Sequence, residues 1–197
     1  MEKVNKTVPN KKIEYKEFET DRLLIKPTSV GDAEFIYQLM NTPKFTKYVG
    51  DRNIKSIEDA ENYICIKMLP QLNELGYSNY SLIRKSDDSK VGTCGLYDRD
   101  GLDGIDIGFG LLPEYEGLGY AYEATNRLKK AAFEEFEIEE IKAITSKENI
   151  SSQRLLEKLG LEMTGTIKLP NEDDELLLYK IQKTGYNTKK TAFIKTS

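Results

Sequence analysis

Asp106-Ile-Gly-Phe-Gly-Leu-Leu-Pro113-Glu-Tyr-Glu-Gly117-Leu-Gly119-Tyr-Ala121-Tyr-Glu-Ala-Thr is the stretch from which the rest of the chain is read. Its apolar run, Ile105 to Leu112, predicts a strand. Pro113 and two glycines predict a sharp turn. The helix expected from Gly117 places Ala121, Ala124, Leu128 and Ala132 on one face. A helix start leaves backbone N–H groups without partners at the positive end of its dipole, so it can hold an anion. Gly117 and Gly119 let a phosphate reach the backbone without a side chain in the way. The stretch therefore reads as a pyrophosphate cradle, with the preceding strand presenting the reacting end of the same ligand.

Working outward, Tyr77 to Arg84 and Lys90 to Asp98 read as an antiparallel hairpin around the polar turn Lys85-Ser-Asp-Asp-Ser. Upstream, Thr20 to Pro27 predicts a first strand, and Ser29 to Thr42 a helix that Asn41-Thr-Pro43 stops. Ser56-Ile-Glu-Asp59 resembles a capping box opening a second helix, with Pro70 a kink or boundary. Downstream, Ile141 to Ser146 predicts a strand and Asn149 opens a short helix closed by Gly160. Leu161 to Ile167 and Glu175 to Ile181 predict two further strands. The expected organisation is a flexible arm over 1–17, one mixed α/β domain over 18–181, and a basic tail over 182–197.

Composition narrows the function. The 197 residues carry no histidine, which removes a Ser-His triad and a His-based zinc site, and no metal is expected. A net charge of −4 argues against nucleic acid as the main partner. No apolar run approaches the roughly 20 residues of a membrane helix, and the polar N-terminus has no signal core. The reading is a cytoplasmic protein that uses no membrane, a monomer or homodimer. Cys65 and Cys94 lie in apolar patterns and are expected as two buried thiols, with a disulfide as the alternative.

The residues also resemble a family. Glu116-Gly117-Leu118-Gly119-Tyr120-Ala121 is similar to the acetyl-CoA-binding motif of the GCN5-related N-acetyltransferases (GNATs), usually Gln/Arg-x-x-Gly-x-Gly/Ala. Ile107-Gly108-Phe109, Leu112-Pro113-Glu114-Tyr115 and Tyr120-Ala121-x-Glu123-Ala124 resemble the branch that acetylates ribosomal-protein N-termini. Asn149-Ile-Ser-Ser152 with Leu156-Glu157-Lys158-Leu159-Gly160 is similar to that branch's second signature, and Glu19-Thr-Asp-Arg-Leu-Leu to its opening. Two positions depart from the pattern. Glu116 stands where Gln or Arg is usual, and Leu156 where many relatives have the tyrosine that protonates the leaving thiolate.

The resemblance implies a mostly antiparallel, splayed sheet flanked by helices, with acetyl-CoA as co-substrate. It implies direct attack of a primary amine on the thioester. The acceptor is a protein N-terminal amine or a small molecule such as a polyamine, amino sugar or drug; a non-catalytic acyl-CoA-binding module is the third reading. Cofactor contacts are expected from Leu111, Leu112, Gly117, Leu118, Gly119, Tyr120, Ala121, Asn149 and Ser152. A bulge or splay is expected to free backbone groups near Gly108 to Leu111 to polarise the thioester carbonyl. Asp106 is the candidate general base, against a plain strand residue; Ser152 is the candidate acid, against water. Asn149 is expected to bond the pantetheine and also to cap its helix. The acidic turn Asp98, Asp100, Asp103 suits a cationic acceptor, or is simply a solvated loop.

Overall fold

The computed structural model describes residues 15–170 and 174–186. The expected arm up to residue 14 and the expected tail from residue 187 lie outside them. Ordered contacts begin before residue 18: Tyr15 bonds Asn73, and Lys16 Nζ donates to the Glu135 carbonyl at 3.2 Å. At the other end the Tyr186 ring lies 5.0 Å from Phe133, with its hydroxyl on Glu134 at 3.0 Å.

Eight strands form one sheet in the order β1-β2-β3-β4-β5-β6-β8-β7. They are β1 (Phe18–Glu19), β2 (Leu23–Pro27), β3 (Asn79–Arg84), β4 (Lys90–Asp98), β5 (Ile105–Leu111), β6 (Glu140–Thr145), β7 (Glu162–Ile167) and β8 (Leu176–Gln182). Every neighbouring pair is antiparallel except β5 with β6. That parallel pair has only two registered positions, Ile105↔Ile141 and Asp106↔Lys142. Beyond them the strands part. β5 stays on β4 as far as Leu111, and β6 stays on β8 as far as Thr145. The expected splay is present. The expected bulge is not: β5 runs in unbroken register with β4 from Ile105 to Leu111.

Two helices flank the gap. α5 (Tyr120–Glu134) presses a small-residue face on the sheet, with Ala124, Leu128, Ala131 and Ala132 fully buried. α6 (Ile150–Lys158) follows β6 and buries Leu156. The main core gathers these side chains with Leu23, Ile25, Tyr80, Leu82, Leu96 and Ile107. A second cluster is built by α1 (Ala33–Met40) and α3 (Ile57–Tyr63) with Ile54, Ile64 and Met68. Alternation along β5 assigns it the other face: Ile107 points into the main core, whereas a Cβ on Gly110 would lie 3.5 Å from Phe45.

Two prolines mark helix boundaries, as expected. The first helix does stop at Asn41-Thr-Pro43, with α1 ending at Met40, but Pro43 also opens a further helix, α2 (Pro43–Tyr48), as its first residue, with Thr42 as N-cap accepting from the Phe45 amide. Proline lacks only an N–H that a first turn leaves unbonded anyway. Pro70 sits just inside α4 (Leu69–Leu75), after a wide π-type turn over Ile64–Met68 that joins it to α3. The cysteine expectation is half right. Cys94 is buried, which pushes its thiol well above the ordinary range, but Cys65 is exposed on that wide turn. No helix among the described residues is long and apolar enough to cross a membrane.

Candidate active site

Gly117 and Gly119 both have positive φ, +74° and +86°. A Cβ on Gly117 would meet nothing within 4 Å, so the backbone conformation rather than crowding requires glycine there. α5 starts at Tyr120 with Gly119 as N-cap, three residues later than expected. The first of its amides to find a carbonyl is that of Glu123, on Gly119 at 3.1 Å. The amides from Gly117 to Tyr122 have no backbone acceptor among the described residues. They are the open donors that an anion needs.

The turn is held from behind. Thr20 Oγ1 and the Arg22 amide both donate to Glu123 Oε1, at 2.5 and 2.9 Å. Arg22 Nε donates to Glu123 Oε2 at 2.7 Å, and its Nη1 to the Leu118 carbonyl at 3.0 Å. The guanidinium stacks 4.4 Å over the Tyr120 ring. Burial raises the Glu123 carboxyl, but the bonds from Thr20 and Arg22 outweigh it and hold it below the usual carboxylate range. The Glu19-Thr-Asp-Arg-Leu-Leu string thus supplies the brace of the turn, a role its sequence alone did not suggest.

β5 supplies a second row of open groups. The Leu112 amide donates to the Val91 carbonyl at 3.0 Å. By antiparallel alternation, the backbone groups of Gly108 and Gly110 face β4, and those of Ile107, Phe109 and Leu111 face the gap. Phe109 therefore joins Leu111 as a backbone candidate. Leu112 does not: its amide is used, and its side chain packs with the α1–α3 cluster.

A cleft of about 370 Å³ lies between this edge, the turn, the start of α6 and α2. Leu111, Gly117, Gly119, Ala121, Asn149 and Ser152 line it. Leu118 is 50% exposed and points away; Tyr120 is buried under Arg22; both can offer only their amides. Asn149 Oδ1 accepts from the Ser152 amide at 3.2 Å and from Ser151 Oγ at 2.9 Å, which makes it the N-cap. Its side-chain N–H groups and the Ser152 hydroxyl have no partner among the described residues. The sequence reading missed the wall made by Lys44, Phe45, Tyr48 and Val49, because it ended the first helical region at Pro43. Tyr122, partly buried against the main core, lines the cleft as well.

Asp106 is not among the cleft-lining residues. It sits at the closed end of the splay, 2% exposed, and binds Arg99 through Nε at 2.9 Å and Nη2 at 2.7 Å. Burial pushes its carboxyl up, and Arg99 pulls against that. The same face of the sheet carries a buried polar chain. Tyr97 donates to Asn79 Oδ1 at 2.6 Å, Asn79 Nδ2 donates to Thr28 at 2.8 Å, and Thr28 shares a hydrogen bond with Ser81 at 3.0 Å. The Tyr97 ring crosses Gly95 and Gly108, where an added Cβ would come within 2.3 and 3.1 Å of it. Gly108 therefore makes room for Tyr97.

Comparison with known proteins bears on the family and the fold. A domain described as "Acetyltransferase (GNAT) domain" matches residues 22–162. The chain is 30% identical over 151 residues to a Bacillus licheniformis protein named "Uncharacterized N-acetyltransferase p20", covering 76% of this chain and 84% of that one. A GNAT-family acetyltransferase structure from Bacillus anthracis superimposes with a TM-score of 0.71 at 25% identity, covering 86% of this chain and 99% of that one. A Vibrio cholerae spermidine N-acetyltransferase, solved with CoA and spermine, shares the fold with a TM-score of 0.70 at 17% identity, covering 85% of this chain and 99% of that one. With the domain spanning most of the described sheet, and open amides where its signature glycines fall, this chain belongs to the GNAT family of N-acetyltransferases.

Proposed function

We propose that the protein transfers an acetyl group from acetyl-CoA to the primary amine of a protein N-terminus by direct attack. The observation that carries the reading is the row of unpaired amides from Gly117 to Tyr122, facing a cleft that continues along the free edge of β5. The amides hold the pyrophosphate. The pantetheine runs along the gap, bonded by the Phe109 and Leu111 backbone and by the Asn149 side chain. An amide of that edge polarises the thioester carbonyl where negative charge develops. The amine attacks the carbonyl carbon, the C–S bond breaks, and the Ser152 hydroxyl, open in the cleft, gives its proton to the leaving thiolate while taking the proton that the nitrogen sheds on becoming an amide. Asp106, shielded behind Arg99, draws the ammonium proton through water rather than by contact.

A small polycationic amine is the second reading. It is favoured by the acidic turn, where Asp100 and Asp103 are exposed beside the β4–β5 connection. CoA release measured against a peptide panel and a polyamine panel separates the two. Turnover on polyamines alone would overturn the N-terminal assignment, and CoA binding with no turnover on any amine would leave only a binding module. Asp106→Asn is expected to lower kcat at least tenfold while leaving acetyl-CoA affinity within twofold. An unchanged pH profile of kcat would remove Asp106 from the mechanism.

A further inference from the structure

Glu116 puts a carboxylate beside the proposed pyrophosphate amides, where relatives by resemblance carry Gln or Arg. The structure supplies its counter-ion. Lys44, from the first turn of α2 on the opposite wall, pairs with Glu116 across the mouth of the cleft. Among the described residues lining the cleft, Lys44 is the only basic side chain and Glu116 the only acidic one. They are bound to each other, both partly exposed at 61% and 31% of their side chains, so the pair can open without unfolding anything.

Charge decides what happens when a phosphate arrives. An anion seated on the Gly117 to Tyr122 amides lies next to Glu116, which repels it, and within the reach of Lys44, which attracts it. A lysine ammonium on its flexible stem can change partners without the fixed geometry that an arginine needs. We infer that Lys44 is a phosphate-binding residue held in reserve by Glu116. The diphosphate of the CoA-type donor displaces the carboxylate from the ammonium, and Lys44 then ties α2 to the bound cofactor. The ion pair is the empty-state clasp, and the same lysine is the loaded-state contact. This rests on the proposed donor and names the residue that selects its phosphorylated end.

The test is calorimetric titration of the whole protein with CoA, comparing wild type, Lys44→Gln, Glu116→Gln and the double variant. Lys44→Gln is expected to weaken CoA at least tenfold, since it removes the attraction and leaves Glu116 unpaired. Glu116→Gln is expected to tighten CoA threefold or more, and the double variant to fall between the two. Turnover with S-acetylpantetheine, which has no phosphate, is expected to respond less than twofold to Lys44→Gln. Thermal melting within 2 °C of wild type, on the order expected for surface substitutions, verifies that each variant is folded. Wild-type binding that neither substitution alters would reduce the pair to a surface contact and overturn this inference alone. Tighter binding in Lys44→Gln, or weaker binding in Glu116→Gln, would overturn it as well. No CoA uptake by the wild type would overturn the donor assignment together with it.

Discussion

The two walls of the cleft are built on opposite principles. The α5 wall is braced: Glu123 accepts from Thr20 and Arg22, Arg22 grips Leu118 and covers Tyr120, and α5 beneath is locked in the main core. The α2 wall is light: six residues, none of them buried, held by the Thr42 cap and tied across the cleft by Lys44. The contrast matches the task proposed for each. A diphosphate is the same in every turnover, so its amides gain from being fixed beforehand. A wall that must admit a bulky donor and an amine gains from being easy to move.

Breaking the brace should have the largest effect. Glu123→Ala leaves Arg22 without its carboxylate partner and frees the turn, which should cost about 1–3 kcal/mol in urea denaturation and weaken CoA by tenfold or more. The pH dependence has a definite sign. The folded Glu123 carboxyl titrates below its unfolded value, so its stabilisation is present above the ordinary glutamate pKa of about 4.3 and is lost as pH falls through the folded value. The stability gap between wild type and Glu123→Gln should therefore close on acidification and stay open at neutral pH. A gap that widened below pH 4 would contradict the brace.

Next comes the turn itself. Gly117→Ala forces a Cβ into a left-handed residue at roughly 1–2 kcal/mol; with open space around it, no clash adds to that. Melting temperature should fall by a few degrees and CoA affinity by several-fold. A loss of affinity without loss of stability would mean that the added methyl meets the ligand and not the fold. The smallest effect belongs to the light wall. Thr42→Ala removes the α2 cap at about 1 kcal/mol, which should raise amide exchange of residues 43–48 about fivefold. Global melting should hardly move, because α2 buries none of its residues. A global loss as large as that of Glu123→Ala would erase the difference between the walls.

The turn and helix of the braced wall were legible in the sequence; its brace and the light wall were not. Glycines needing positive φ, a small-residue helix face and an alternating hairpin each leave a local signature, and those pieces came out where expected. The splay follows from long-range pairing, which the resemblance implied and composition did not; the order of the strands was in neither. Pro43 was read only as a stop, although the region also starts the next helix; Thr42 before it was the signal for a start. The Arg22–Glu123 brace joins residues a hundred positions apart, and nothing local in either string states that they touch. Asp106 was legible as an acid in the strand, but its burial against Arg99 depends on a turn whose path the sequence does not specify.

The short seam between β5 and β6 has its own consequence. Two registered positions are the whole strand-to-strand link between a five-stranded slab and a three-stranded one. The shared core beneath α5 holds the two slabs together, so the notch opens without splitting the body. A molecule lodged in the notch would bond the edge of one slab and the helix hanging from the other, and so finish the weave that the backbone leaves incomplete.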